Sequence, residues 1–147
     1  MGALKADDLP RGCILALDTV VLIYFLEKHP VFYPTAREIF RKIEENCFPA
    51  LISSLVFAEL LVTAYKGNKA TEAMKLMQVL TGFPHLKIAP LTPSIAAQAA
   101  RLRAAYGIRT PDAIHLATAI EGGAAGFITN DKDLERLQKE LPIWMIG

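Results

Sequence analysis

The chain has 147 residues, 52% of them hydrophobic and 21% charged, with a net charge of +1. This size predicts one domain, and the near-neutral charge gives no strong field to draw it onto nucleic acid or an anionic membrane. Cys13 and Cys47 form no CxxC pair, which argues against a zinc site or a disulfide framework. With neither a signal peptide nor the ~20 apolar residues of a membrane span, the sequence predicts a cytoplasmic protein.

Short apolar runs alternate with helical patterns along the chain. Residues 1–12 are interpreted as a polar N-terminal extension, and residues 13–147 as a single domain. The predicted strands are 14–17, 50–52, 86–89, 126–128 and 143–146, and the predicted helices are 19–27, 35–46, 55–65, 70–80, 94–106, 112–121 and 132–139.

This alternation of short, continuously apolar strands with helices predicts an α/β fold with a parallel sheet. Ligands of such sheets bind beyond the carboxyl ends of the strands. The rim of the predicted sheet at those ends is therefore where functional side chains are expected.

Four acids, Asp18, Glu59, Asp112 and Asp131, stand out because each has apolar neighbours and lies at or near a junction between predicted elements. An unpaired carboxylate in a hydrophobic setting is costly, so it usually has a partner. The chain has no matching set of well-placed basic residues. A divalent cation shared by the four acids would neutralise them at one rim of the sheet.

Each acid also has a simpler interpretation. Asp18 and Asp131 can cap the helices that follow them, and Asp112 lies in a first helical turn where the helix dipole favours an anion. Glu59 lies inside an apolar helical segment, so capping does not explain it. A buried pair with an Arg or Lys is the remaining alternative for Glu59.

Other polar residues near the acids have two interpretations each. His115 and Thr118 share a helical face with Asp112, and His115 could be a ligand, a general base or a hydrogen-bonded packing residue. Thr129 could hold a metal-bound water or satisfy a backbone group. Five basic residues are candidate phosphate contacts or solvated surface: Lys66, Lys69, Arg101, Arg103 and Arg109. Three phenylalanines are predicted to be packing residues: Phe25, Phe40 and Phe57.

The four acidic segments read LDTVVLIYFLE, ISSLVFAELL, TPDAIHLATAI and ITNDKDL. In this order and spacing they resemble the PIN domain family, and specifically the VapC-type toxins of toxin–antitoxin pairs. The resemblance runs from about residue 14 to residue 146. It implies a three-layer PIN-like fold, with a short parallel central sheet of four to five strands flanked by helices.

The resemblance also implies a Mg²⁺- or Mn²⁺-dependent ribonuclease, with Asp18, Glu59, Asp112 and Asp131 as metal ligands and catalytic residues. Thr129 and Asn130 would be supporting residues of the fourth motif. Mg²⁺ and Mn²⁺ prefer carboxylate and water oxygens, which agrees with this set. The implied partners are an RNA substrate, a small cognate antitoxin and a second copy of the chain.

One position departs from the family pattern. The first motif often carries a small polar residue two positions after its aspartate, where this chain has Val20. A hydrogen bond that supports the metal site is then expected to be missing. Val20 is also the sequence support for a PIN-like scaffold that binds RNA or protein without cutting it. An aspartate-based phosphatase is a further alternative, although haloacid-dehalogenase-like enzymes place a second aspartate at this position.

Overall fold

The computed structural model describes residues 4–147, in which a five-stranded parallel sheet has helices on both faces. This confirms the predicted α/β class. The strands are β1 (Leu15–Leu17), β2 (Ala50–Ser53), β3 (Leu86–Ala89), β4 (Gly126–Thr129) and β5 (Ile143–Met145), in the sheet order β3-β2-β1-β4-β5.

Helices connect consecutive strands as parallel pairing requires. The α-helices are α1 (Thr19–Leu26), α2 (Tyr33–Glu44), α3 (Leu55–Leu60), α4 (Val62–Lys66), α5 (Ala70–Thr81), α6 (Pro93–Tyr106) and α7 (Thr110–Glu121). Short 3₁₀ helices span Ala6–Asp8 and Lys132–Leu137.

Two predicted helices differ from the structure. The segment predicted as one helix at 55–65 is divided into α3 and α4 by a bend at the buried Leu61. The segment predicted as a helix at 132–139 is the shorter 3₁₀ helix. Leu134 and Leu137 are both fully buried there, and a three-residue repeat suits the 3₁₀ geometry, in which side chains three apart lie on one face.

The apolar runs of the strands serve two cores because successive strand side chains point to opposite faces. In β1, Leu15 and Leu17 enter the core shared with α1 and α2, whereas Ala16 enters the core shared with α6 and α7. The other central strands divide in the same way. Two buried faces explain why these strands are apolar without alternation, and they produce the three-layer arrangement.

The residues before β1 pack against the first core. Leu4, Ala6 and Leu9 are buried, and Asp7 pairs with Lys42 of α2 at 2.9 Å. Residues 1–3 of the predicted N-terminal extension lie outside the described residues. In the part of the chain that the structure describes, no helix combines the length and apolar character needed to cross a membrane.

The sheet has its topological switch point between β1 and β4. From β1 the chain moves through β2 to β3 on one side, and β4 then pairs with β1 on the other side and leads to β5. Crossover helices therefore leave in opposite directions. In open α/β sheets the region beyond the carboxyl ends of two such strands is the usual ligand-binding crevice. Leu17 pairs with Ile128 in the register, so Asp18 and Thr129 lie side by side at this crevice.

Candidate active site

Asp18 lies at the base of the crevice, with only 8% of its surface exposed. One carboxylate oxygen, Oδ1, accepts a hydrogen bond from the backbone N–H of Thr19 at 2.8 Å, which caps α1. The other, Oδ2, accepts from the Thr129 hydroxyl at 2.7 Å. Burial raises the pKa of Asp18, although the charge of His115 and these two hydrogen bonds oppose the rise.

Glu59 joins a second set of contacts beside Asp18. Its Oε1 accepts from the Thr19 hydroxyl at 2.8 Å and lies 2.6 Å from Nε2 of His115. The Glu59 side chain is 37% exposed, so it is a rim residue and not the buried charge that its apolar sequence neighbours suggest. The hydrogen bond from His115 lowers the pKa of Glu59 against the opposing effect of burial. Its partner is thus a histidine, not the Arg or Lys of the alternative interpretation.

His115 positions Glu59. The 2.6 Å contact between Nε2 and a carboxylate oxygen requires a proton between them, and the lowered pKa of Glu59 favours the proton on Nε2. The opposite ring nitrogen, Nδ1, is buried and is the one buried side-chain nitrogen or oxygen among residues 4–147 without a hydrogen-bond partner.

Asp112 lies in the first turn of α7, with its side chain 12% exposed. Its Oδ2 is 3.1 Å from Nε of Arg109, whose own side chain is 78% exposed. The hydrogen bond and charge of Asp112 raise the pKa of Arg109, and the charges of Asp131 and Asp18 add to the rise. Arg109 is therefore a solvated cation at the mouth of the crevice. Its charge also lowers the pKa of Glu59, so it lies within electrostatic range of all four acids.

Asp131 follows β4 and caps the 3₁₀ helix, because its Oδ1 accepts from the backbone N–H of Asp133 at 3.0 Å. Its own N–H donates to the Thr129 hydroxyl at 3.1 Å, so Thr129 connects the backbone of Asp131 to the carboxylate of Asp18. Asn130 turns the other way and donates from Nδ2 to the Tyr24 hydroxyl at 2.7 Å.

The four acids meet at the carboxyl ends of β1 and β4, as the predicted topology required, but each is engaged with protein donors. The charge of Asp112 contributes to the raised pKa of Asp18, which places these two carboxylates within interaction range. The capping interpretations of Asp18 and Asp131 also hold in the structure.

The donor chemistry of these acids fits a hard divalent cation, because every one of them offers carboxylate oxygen. Across residues 4–147, however, no three or more His, Cys, Asp or Glu side chains are already arranged so that they could hold a metal ion. Binding an ion therefore requires side-chain movement. The exposed Arg109–Asp112 pair resists that movement least, because solvated ion pairs contribute little free energy.

The structure gives the contacts of the other residues that the sequence singled out near the acids. Thr118 donates to the carbonyl of Ile114 in its own helix, at 2.7 Å. Val20 packs against the first core, and the hydroxyl next to Asp18 comes from Thr19 instead. The family pattern has its small polar residue one position later, so it gave no signal for Thr19. Of the candidate phosphate contacts, Arg109 alone is bonded to one of the four acids in the described part of the chain.

Sequence comparison assigns residues 15–140 to the PIN domain profile, which covers most of the chain. No curated protein sequence matches it.

Three solved structures illustrate its structural likeness. A chain of VapBC2 from Rickettsia felis, bound to a DNA fragment from their promoter, superposes with a TM-score of 0.72 and 22% identity, covering 91% of this chain and 99% of that one. A chain of DNA-bound VapBC from Salmonella typhimurium superposes with a TM-score of 0.70 and 19% identity. The match covers 92% of this chain and 99% of that one. A chain of a toxin–antitoxin complex from Klebsiella pneumoniae superposes with a TM-score of 0.60 and 26% identity. The match covers 82% of this chain and 89% of that one.

The raised pKa of Asp18 predicts that Asp18→Asn stabilises the metal-free protein at neutral pH. The folded state holds the proton more tightly than the unfolded state, so stability falls as pH rises from the ordinary aspartate value of 3.8 through the raised pKa, and the full penalty is present above it. We expect Asp18→Asn to unfold at a higher urea concentration than wild type at pH 7, and at the same urea concentration as wild type near pH 3. Urea unfolding in EDTA at both pH values measures it.

Asp133→Asn is the matched control, because Asp133 is an exposed acid paired with Arg136 on the surface. It should change stability little at either pH. If Asp18→Asn instead destabilises the protein more at pH 7 than at pH 3, the hydrogen bonds of the Asp18 carboxylate outweigh the cost of burying its charge.

Proposed function

Because this chain belongs to the PIN domain family, we propose that it is a metal-dependent endoribonuclease and the toxin of a toxin–antitoxin pair. The observation that carries the proposal is the convergence of Asp18, Glu59, Asp112 and Asp131 at the switch point of the sheet. Four carboxylates around an open crevice have no evident structural purpose as a group. A shared metal site that accepts an anionic phosphodiester would explain why the four carboxylates lie together.

The acids would act as direct or water-mediated ligands of Mg²⁺ or Mn²⁺. The bound ion supplies a water of lowered pKa and positive charge toward the leaving oxygen. Asp18 is held rigidly by Thr19 and Thr129, so it provides a fixed oxygen at the base of the site. Glu59 has Oε1 occupied by Thr19 and His115, which leaves Oε2 for the ion or a water. In this proposal Asp131, at the rim, would orient the attacking water.

If an ion binds Asp112, Arg109 would be released from its ion pair with Asp112 and could bind the substrate. Its exposed guanidinium lies at the crevice mouth, and a guanidinium pairs well with a phosphate. Moving Arg109 from carboxylate to phosphate would keep the site close to neutral as an anionic strand enters. RNA is proposed as that strand because the chain resembles VapC-type ribonucleases.

Replacing a proposed ligand should remove activity without unfolding the protein. We expect Asp18→Asn and Asp112→Asn each to lower RNA cleavage in Mg²⁺ roughly a hundredfold or more, because the ion and its activated water are lost. Cleavage of total cellular RNA by the purified variants, followed on gels, measures the effect.

The matched control is again Asp133→Asn, an acid two positions beyond Asp131 that faces Arg136. It should cleave at the wild-type rate. If Asp18→Asn and Asp112→Asn also cleave at that rate, the metal site is misassigned. If the wild-type chain binds RNA but cuts none, the scaffold alternative replaces the nuclease.

A partner protein is proposed on a second observation, an open apolar groove of about 590 Å³ next to Glu59. The solved structures that this chain resembles include toxin–antitoxin complexes. Exposed Val62 and Tyr65 contribute to its walls, and an amphipathic helix would bury them. Its lining residues come from α3, α4 and α5: Phe57, Ala58, Leu61, Val62, Tyr65, Lys66 and Met77.

A charge in the groove should therefore weaken the antitoxin complex and spare the chemistry. Val62→Asp places a carboxylate among apolar residues that a partner would desolvate, so we expect the dissociation constant to rise roughly tenfold or more. Calorimetry with the proposed cognate antitoxin measures it. Val79→Asp is the control, because Val79 is similarly exposed (52% against 44%) and does not line the groove. Equal affinities for both variants would place the partner elsewhere.

The proposal places the enzyme in the cytoplasm, where its RNA substrates are. Homodimerisation, implied by the family resemblance, stays a prediction.

A further inference from the structure

Three aromatic side chains form a cluster beside the acids that the proposed chemistry does not use. The ring centroids of Tyr24 and His29 are 4.7 Å apart, those of Tyr24 and Phe32 are 4.9 Å apart, and those of His29 and Phe32 are 5.1 Å apart. The His29 and Phe32 rings are close to parallel, with 24° between their planes. All three side chains are half-buried, so the cluster is accessible from solvent.

The cluster is connected directly to the acidic site. Nδ2 of Asn130 donates to the Tyr24 hydroxyl at 2.7 Å, and Asn130 lies between Thr129, which holds Asp18, and Asp131. Gly147, just beyond the end of β5, donates its N–H to Oδ1 of Asn130 at 2.9 Å. The aromatic rings therefore lie at the same carboxyl edge of the sheet as the acids.

The loop between α1 and α2 holds the cluster in place before any ligand binds. Nδ1 of His29 accepts from the backbone N–H groups of Val31 and Phe32, both at 3.1 Å. The backbone N–H of His29 donates to the Tyr24 carbonyl, also at 3.1 Å. Lys28 takes a left-handed conformation, with φ of 51°, to make this turn. A rigid aromatic surface loses little conformational entropy on binding.

Each of the two polar side chains of the cluster, His29 and Tyr24, keeps one hydrogen-bond donor without a protein acceptor among the described residues. Because Nδ1 of His29 is an acceptor, the proton of the neutral ring is on Nε2, and Nε2 has no partner among the described residues. The Tyr24 hydroxyl accepts from Asn130, and within residues 4–147 its own proton has no acceptor. Two unused donors therefore border the aromatic surface.

We propose that Tyr24, His29 and Phe32 form a base-stacking subsite that binds one unpaired nucleobase of the RNA next to the phosphodiester cut at the acids. The inference rests on the proposed ribonuclease function. Proteins recognise single-stranded RNA by stacking its bases on aromatic rings and bonding their polar edges, and this surface offers rings with two donors beside them. Exposed Lys28 and Lys132, which adjoin His29 and Asp131 in the sequence, add positive charge for the flanking phosphates.

The test is equilibrium binding of a fluorescein-labelled single-stranded 12-mer of uridine, measured by anisotropy with Ca²⁺ in place of Mg²⁺. Phe32→Leu keeps an apolar side chain and removes the stacking ring, so we expect the dissociation constant to rise roughly five- to a hundredfold. The slope of log affinity against log salt should not change, because stacking releases no counterions. Tyr24→Phe removes only the hydroxyl and should cause a smaller loss.

Phe25→Leu is the matched control. Phe25 is the neighbour of Tyr24 in α1 and is also half-buried, but its ring stacks on Phe40 at 4.4 Å, away from the cluster. A 12-mer of abasic sugar-phosphate separates base contacts from backbone contacts, and wild type and Phe32→Leu should bind it equally. Melting temperatures show whether each variant is folded.

The subsite is wrong if folded Phe32→Leu binds the uridine 12-mer as tightly as Phe25→Leu and wild type do, or loses the same affinity for the abasic strand. A Phe32→Leu variant that binds RNA normally but loses the antitoxin would assign the cluster to a protein partner, which also overturns the inference. In each of these cases wild type would still cleave the same 12-mer in Mg²⁺, so the ribonuclease function would stand although the subsite is wrong. If wild type neither binds nor cuts any RNA, the ribonuclease function itself fails.

Discussion

The burial of Asp18 is the constraint on which the site depends. A carboxylate at the end of a central strand costs free energy, which is visible in its raised pKa, and two threonines limit that cost by donating to its two oxygens. The same two threonines connect outward, Thr19 to Glu59 and Thr129 to the backbone of Asp131. One desolvated charge thus organises three of the four acids. The fourth, Asp112, is balanced by Arg109 at the surface.

The position of this charge follows from the topology. Strands β1 and β4 are neighbours whose connections leave in opposite directions, so their carboxyl ends open into a crevice. The switch from β1 to a helix needs a cap, and Asp18 is that cap. Structural and chemical roles therefore coincide in one residue. The competing interpretations of Asp18, helix cap and metal ligand, are compatible, because Oδ1 serves the cap while the carboxylate still faces the crevice.

The acids lie between two other surfaces. Next to Glu59 is the apolar groove of α3, α4 and α5, and next to Asp131, through Asn130, is the aromatic cluster of α1 and the loop after it. In the proposed function these surfaces bind different molecules, a protein partner in the groove and an RNA base on the rings. RNA and antitoxin could then approach the acids from different sides.

Much of the architecture could be predicted because it rests on local patterns. The apolar runs of β1 and β4 and the acids that follow them indicated the parallel sheet and its functional rim. The PIN domain resemblance is confirmed by the family comparison, and the three-layer fold by the structure. Where the sequence pattern and the structure disagree, tertiary contacts determine the secondary structure. The bend at Leu61 follows from its burial, and the 3₁₀ helix after Asp131 from the burial of Leu134 and Leu137.

Side-chain partners were harder to predict, because they join residues distant in sequence. Nothing local indicates that Glu59 would meet His115, 56 positions away, or that Tyr24 would meet Asn130, 106 positions away. Arg109 and Asp112 are only three positions apart, so their pairing could have been predicted from the sequence. The roles of the four acids as metal ligands stay a prediction, since each has a protein partner in the structure and an ion must compete with those partners.

Manganese anomalous scattering from a crystal of the wild-type chain soaked in Mn²⁺ shows directly whether the acids hold an ion. We expect an anomalous peak between the carboxylates of Asp18 and Asp112, with Arg109 turned away from Asp112. A crystal with Mn²⁺ bound elsewhere, or with no peak in the crevice and Arg109 still bonded to Asp112, would contradict this expectation.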